Sequence, residues 1–171
     1  MRTLDYLGLN ENKVEKVVDG LSQLLADFQI YYTNLRGLHW NVVGRSFYVM
    51  HEKYEEFYND AEAKIDEIAE RVLQLGGTPE NRFSEYLKTS EIKEVSNVSC
   101  GGEGRELLLG WLKTLIAKER KLLATASEAG DEVTVSLMSD YLKGQEKALW
   151  MLVASGHRHS GEDAGCGCSS K

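Results

Sequence analysis

The stretch FYVMHEKYEEFYNDAEAKIDEIAERV, residues 47–72, decides the fold. On a wheel of about 100° per residue with His51 at zero, Phe47, Met50, Tyr54, Phe57, Ala61, Ile65, Ile68 and Val72 fall within roughly 240–340°. That sector is a core stripe. Glu62, Glu55, Asp66, Glu52, Glu70, Glu56, Glu67 and Asp60 fall between roughly 20° and 180°, with Lys53 at the edge. One helix thus sets an apolar face against an almost pure acidic one. Like charges four apart, as in Glu52/Glu56, Glu56/Asp60 and Asp66/Glu70, cost a helix about 0.2–0.5 kcal/mol per pair. The face is either a solvated acidic surface or one that cations neutralise.

Three further helical blocks lie around it. Residues 12–39 place Val14, Val17, Val18, Leu21, Leu24, Leu25, Phe28 and Tyr32 at steps of three and four. Gly44 breaks the chain after them, and Ser46 is the expected N-cap of the block that runs to about residue 75. Gly76-Gly77-Thr78-Pro79 stops that block. A long connection follows, with a small amphipathic piece over 82–89, and the Gly101-Gly102 pair is expected to end it. Residues 103–129 carry the stripe Leu107, Leu108, Trp111, Leu112, Leu115, Ile116 and Leu122. Gly130 separates them from 131–154, with Val133, Leu137, Tyr141, Leu142, Leu149, Trp150 and Val153. Four long helices without a strand pattern predict an all-α four-helix bundle. The long connection between the second and third blocks is enough to run the length of the bundle, so those two helices should be parallel, a ferritin-like crossover carrying a short extra helix. The expected domain is 1–156, followed by a polar tail over 157–171 rich in Gly and Ser.

The chain has 171 residues, a size for one domain with a real core. Its net charge is −7, from 27 acidic and 20 basic residues, which argues against an autonomous binder of the phosphate backbone and for cations. Cys100, Cys166 and Cys168 are an odd count with two at the extreme end, so no disulfide framework is expected; Cys100 reads as a small loop residue. No leader pattern opens the sequence, and no apolar run approaches the ~20 residues of a membrane span. A soluble, cytoplasmic protein is the expectation.

His39 closes the first block and His51 sits at the edge of the acidic face. With Asp66 and Glu70 they make an imidazole and carboxylate set suited to iron. His51 and Asp66 stand fifteen residues apart on one helix, roughly 22 Å at 1.5 Å per residue. Metal–ligand bonds are about 2 Å. If the four form one site, two chains must share it, and a twofold axis across the second helix would create two equivalent sites per dimer. No Glu-x-x-His occurs anywhere in the chain, which argues against a di-iron site inside the bundle.

Leu38-His39-Trp40-Asn41-Val42, Phe47-Tyr48-Val49-Met50-His51-Glu52 and Asp66-Glu67-Ile68-Ala69-Glu70-Arg71 closely resemble the Dps family of mini-ferritins, over about residues 12–156. The resemblance implies a ferroxidase centre with His39 and His51 from one subunit and Asp66 and Glu70 from its neighbour, and Glu55 as an accessory carboxylate. It implies that Trp40 stands beside the centre as an electron donor or radical trap; on sequence alone, a buried helix-end aromatic is the equal alternative. Glu52, Glu55 and Glu56 would nucleate ferric mineral on the inner wall of a twelve-subunit shell. The implied reaction is oxidation of Fe2+ to Fe3+, with hydrogen peroxide as the preferred oxidant, protecting the cell from oxidative stress; zinc could compete for the site. Asp131, Glu132, Asp140 and Glu146 are candidates for an acidic threefold pore, against the favoured alternative of plain exposed carboxylates.

Many members bind DNA through a lysine-rich arm. Here Arg2, Lys13 and Lys16 are balanced by Asp5, Glu11 and Glu15, and the tail offers Arg158 and Lys171 against Glu162 and Asp163. Direct DNA binding is therefore expected to be weak or absent, and no DNA-binding residue is assigned; a DNA-compacting nucleoid protein with secondary iron binding is the alternative. His157, His159, Cys166 and Cys168 in the tail are either a soft metal cluster or incidental.

Overall fold

The computed structural model describes residues 3–156, and every regular element among them is a helix. In chain order these are α1 (Leu4–Leu7), α2 (Glu11–Asn41), α3 (Phe47–Gln74), α4 (Phe83–Thr89), α5 (Gly101–Ala129) and α6 (Glu132–Ser155). The four long ones are the expected bundle, and α4 is the expected short helix in the connection. The expected tail, with His157, His159, Cys166 and Cys168, lies outside the described residues. No described helix is long and apolar enough to cross a membrane.

Side-chain contacts fix the directions. The end of α2 meets the start of α3 through His39 and His51, so these two are antiparallel. Gly101 begins α5 against Ser46 at the start of α3, which makes α3 and α5 parallel. A Cβ on Gly101 would collide with Ser46, so the glycine serves close packing. The Gly101-Gly102 pair thus opens α5 rather than ending the connection: in a first turn the N–H groups need no intrahelical acceptor, and the interior penalty of glycine does not apply. Gly76, at φ 84°, turns the chain out of α3 in a conformation that side chains resist. Ser46 does occupy the N-cap of α3, but its side chain makes no capping bond.

The connection then travels back along α2. Gln23 donates to the Thr89 carbonyl at 2.9 Å, Ser90 Oγ donates to Asp27 at 3.0 Å, and Asn34 donates to the Lys93 carbonyl at 2.9 Å. Finally Val43 N–H donates to the Ser99 carbonyl at 3.1 Å. Partners on both segments advance together. Asp27 is wholly buried, and it also accepts from Glu91 N–H at 2.7 Å and from Lys118 Nζ on α5 at 3.1 Å. A buried carboxylate needs such donors.

Between the acidic and apolar sectors of α3 runs a basic strip at roughly 200–220°, formed by Lys53, Lys64 and Arg71. Lys64 and Arg71 are buried, which the apolar stripe did not foretell. Arg71 reaches Asp131 Oδ1 at 2.5 Å and Thr134 Oγ1 at 3.0 Å, so α6 starts beside the end of α3 and runs antiparallel to it. This corrects the reading of Asp131 as a pore acid. Asp131 is 1% exposed; it caps α6 by accepting from Thr134 N–H at 3.1 Å and holds the Arg71 guanidinium. It is a structural anchor, closed to passing ions.

Candidate metal centre

Five residues, 42–46, separate α2 from α3, and this short turn stacks two imidazoles. The His39 and His51 rings lie 3.7 Å apart at 21°. Each Nδ1 sits 2.8 Å from the other residue's backbone carbonyl oxygen. A carbonyl only accepts, so both Nδ1 atoms carry the proton and donate it. A ring held this way binds a metal, when it does, through the lone pair of Nε2. The His39 carbonyl belongs to the last turn of α2, where carbonyls lack helical partners, so the same bond also finishes the helix end. Phe47 stacks on His51 at 5.0 Å, and Tyr58 meets His39 edge-on at 5.4 Å. Both rings are half-buried.

Asp66 and Glu70 are exposed one turn apart, far along α3. The residue after each ties α3 to α6: exposed Glu67 accepts from the Tyr141 hydroxyl at 2.7 Å, and buried Arg71 binds Asp131. The carboxylate pair therefore rests on a fixed backing. Among the described residues, no three His, Cys, Asp or Glu side chains come together around one point. The fold brings His39 and His51 together and leaves Asp66 and Glu70 apart from them.

Trp40 is 65% exposed under the Arg36 guanidinium, 4.8 Å above its ring, so the buried-aromatic alternative does not hold for the single chain. Glu52 is exposed; Glu55 accepts from the Tyr58 hydroxyl at 3.3 Å; Glu56 accepts from Lys53 at 2.5 Å. Glu146 pairs with Arg120 at 2.6 Å. Glu132 and Asp140 are exposed and, with Glu67 and Glu70, line a recess of about 490 Å³ between the end of α3 and the start of α6.

Sequence reasoning missed a second polar group, inside the bundle. Glu119 is fully buried, and Gln145 donates to it at 2.5 Å. Burial pushes the Glu119 carboxyl up to about 7, against the opposing pull of Gln145 and the Lys64 charge. Burial and the bond to Glu67 also raise the Tyr141 hydroxyl. The signal was present: Glu119 falls four after Leu115 and three before Leu122, on the core face.

Comparison with known proteins agrees with this architecture. The profile of the ferritin-like domain family matches residues 18–155. The chain is 55% identical over 153 residues to the DNA protection during starvation protein of Porphyromonas gingivalis, covering 90% of this chain and 96% of that one. Among solved structures, a Dps protein of Vibrio cholerae O1 superposes with a TM-score of 0.85 at 43% identity, covering 87% and 94% of the two chains. That protein is described as a member of a broad superfamily of ferritin-like diiron-carboxylate proteins. A Dps protein of Bacillus brevis superposes with a TM-score of 0.81 at 33% identity, covering 84% and 97%.

Proposed function

We propose, because this chain belongs to the Dps family of ferritin-like proteins, that it oxidises Fe2+ with hydrogen peroxide at centres shared between two copies and stores the ferric product inside a homo-oligomeric shell. The observation that carries the reading is the histidine pair: two imidazoles locked by their Nδ1 atoms where the end of α2 meets the start of α3, with Asp66 and Glu70 farther along α3 and out of their reach. Two copies packed across α3 in antiparallel register supply what each lacks. The centre then has two neutral nitrogens from one chain and two carboxylates from the other, and carboxylate charge favours the ferric product.

The reaction balances without a radical. Two Fe2+ give one electron each to one H2O2, which takes two protons and leaves as two waters, with two Fe3+ remaining. If only one iron is in place, exposed Trp40 beside His39 can give the second electron. Glu52 and Glu55 are the readier acids for ferric deposition, since Glu56 holds Lys53. Glu132 and Asp140, in one recess with Glu70, mark the way in for cations, whereas Glu146 is engaged by Arg120. A dodecamer places these acids on an inner surface, and zinc, which takes nitrogen and oxygen ligands, would compete for the centre. A shell of chains at −7 each repels duplex DNA, so DNA protection here is chemical, by removal of iron and peroxide in the cytoplasm.

The test is anaerobic loading with Fe2+ followed by peroxide, with ferric absorbance as the readout. The unsubstituted protein should oxidise about two irons per site rapidly, one peroxide consuming two electrons. The His39→Ala/His51→Ala protein should be slow; equal rates would end the reading.

A further inference from the structure

Within the ferroxidase reading, on which this inference rests, we propose that Tyr58, ahead of Trp40, gives the second electron when a single ferrous ion meets peroxide at the centre, and that Glu55 takes its proton. Trp40 follows His39 in the chain. Tyr58 meets the His39 ring edge-on, with 5.4 Å between centroids and 86° between planes. Tyr32 stands one ring farther out, edge-on to Tyr58 at 6.1 Å. An electron crosses such van der Waals contacts without a bridging group, so Tyr58 is wired to the ligand itself.

The charges set on these rings differ in sign. The Arg36 guanidinium lies 4.8 Å over the Trp40 ring and 5.5 Å over the Tyr32 ring. A cation on a ring face stabilises the neutral, electron-rich ring. It opposes the positive charge that the ring takes on when an electron leaves. The Tyr58 hydroxyl instead donates to Glu55 Oε1 at 3.3 Å, a length common for proton-transfer pairs before the reactants bind. Glu55 also acts on this hydroxyl more strongly than Arg36 does. A phenol that hands its proton to a carboxylate as its electron leaves becomes a neutral radical, and no charge builds up beside the histidine. Tyr58 is half-buried, which keeps that radical from open solvent.

The step balances. One Fe2+ and Tyr58 each give one electron to one H2O2. The O–O bond breaks, and both oxygens leave as water with two protons from solvent. What remains is one Fe3+, a neutral Tyr58 phenoxyl radical and protonated Glu55. A later Fe2+ reduces the radical, Glu55 returns the proton, and the phenol re-forms beside a second Fe3+. The sum is the two-iron reaction with its second iron arriving late, and no hydroxyl radical is released in the interval.

The test is freeze-quench electron paramagnetic resonance on the assembled protein, loaded anaerobically with a single Fe2+ per centre and mixed with hydrogen peroxide. The unsubstituted protein should give a tyrosyl signal that narrows when its tyrosines carry ring deuterium. Tyr58→Phe keeps a ring against His39 and should lose the signal. Tyr32→Phe should keep it. Glu55→Gln retains the phenol but not the proton acceptor, and should weaken it. A tyrosyl signal that survives Tyr58→Phe, vanishes in Tyr32→Phe or is unchanged in Glu55→Gln overturns the proposal. So does a tryptophanyl signal in the unsubstituted protein. Ferric absorbance is read on the same samples. Ferric product without a tyrosyl signal overturns the proposal and leaves the ferroxidase reading standing; no ferric product overturns that reading, and the proposal with it.

Discussion

The two ends of α3 solve opposite halves of one problem. At its start, neighbouring main-chain carbonyls fix two imidazoles within a single chain, and the lone pairs are ready without any partner. At its end, Asp66 and Glu70 stand in solvent, and what is fixed is the helix beneath them, through Glu67–Tyr141 and Arg71–Asp131. The histidine end is organised by contacts to the ligands themselves. The carboxylate end is organised from behind, one residue away from each ligand. The difference teaches that each half is prepared by its own fold; on the proposed reading, only the meeting of two copies is left to complete the centre.

Removing ligands should abolish that symmetry of halves most strongly. His39→Ala/His51→Ala and, separately, Asp66→Asn/Glu70→Gln should each slow ferrous oxidation by at least about 100-fold, since ligand loss exceeds the cost of an outer-shell change. Stopped-flow absorbance checks it. A large difference between the two variants would break the idea of equal halves.

Breaking the backing should act on the carboxylate end alone. Arg71→Ala leaves buried Asp131 without its charge partner, and unfolding free energy should fall by about 3–5 kcal/mol. Denaturant melts measure that loss. Cobalt affinity should fall as well, while the ring resonances of His39 and His51 stay in place by NMR.

The buried carboxyl gives a pH signature that neither end shares. Glu119 is raised from 4.5 to about 7 in the folded chain, so folding favours its neutral form. That stability is fully present below about 4.5 and fades as pH rises through about 7, a loss on the order of 3 kcal/mol by pH 8. Glu119→Gln should flatten the stability profile between pH 5 and 8. An unchanged slope would remove Glu119 from the account.

The smallest effect is the finest probe of the backing. Tyr141→Phe removes one donor to Glu67, at about 1 kcal/mol. It should loosen metal at the carboxylate end while leaving the histidine stack intact, as read by calorimetric titration with cobalt.

Much of this arrangement was legible in the residues. The apolar steps of four long helices, the single Pro79 and the length of the connection dictate a bundle with a crossover, and parallel α3 and α5 follow. If His51 and Asp66 serve one site, the fifteen-residue gap between them already calls for two chains. What periodicity could not reveal was polar burial. Arg71, Asp131 and Asp27 look like surface charges in a sequence, because only their distant partners, 60 or more residues away, make their burial tolerable. For the same reason Asp131 resembled a pore acid. The four-residue α1 holds one buried side chain, Leu4, too little to set a pattern. The reciprocal bonds of the histidines depend on main-chain atoms brought together by the turn, and no residue type announces them.

The central claim, that two copies complete each centre, is tested most directly by complementation. The His39→Ala/His51→Ala chain and the Asp66→Asn/Glu70→Gln chain, each slow alone, are unfolded together and reassembled, and ferrous oxidation by peroxide is followed. A mixed pair has one centre with every ligand and one with none, so activity should return to about a quarter of the unsubstituted level for random pairing. A reassembled mixture no faster than its two parents would contradict the account.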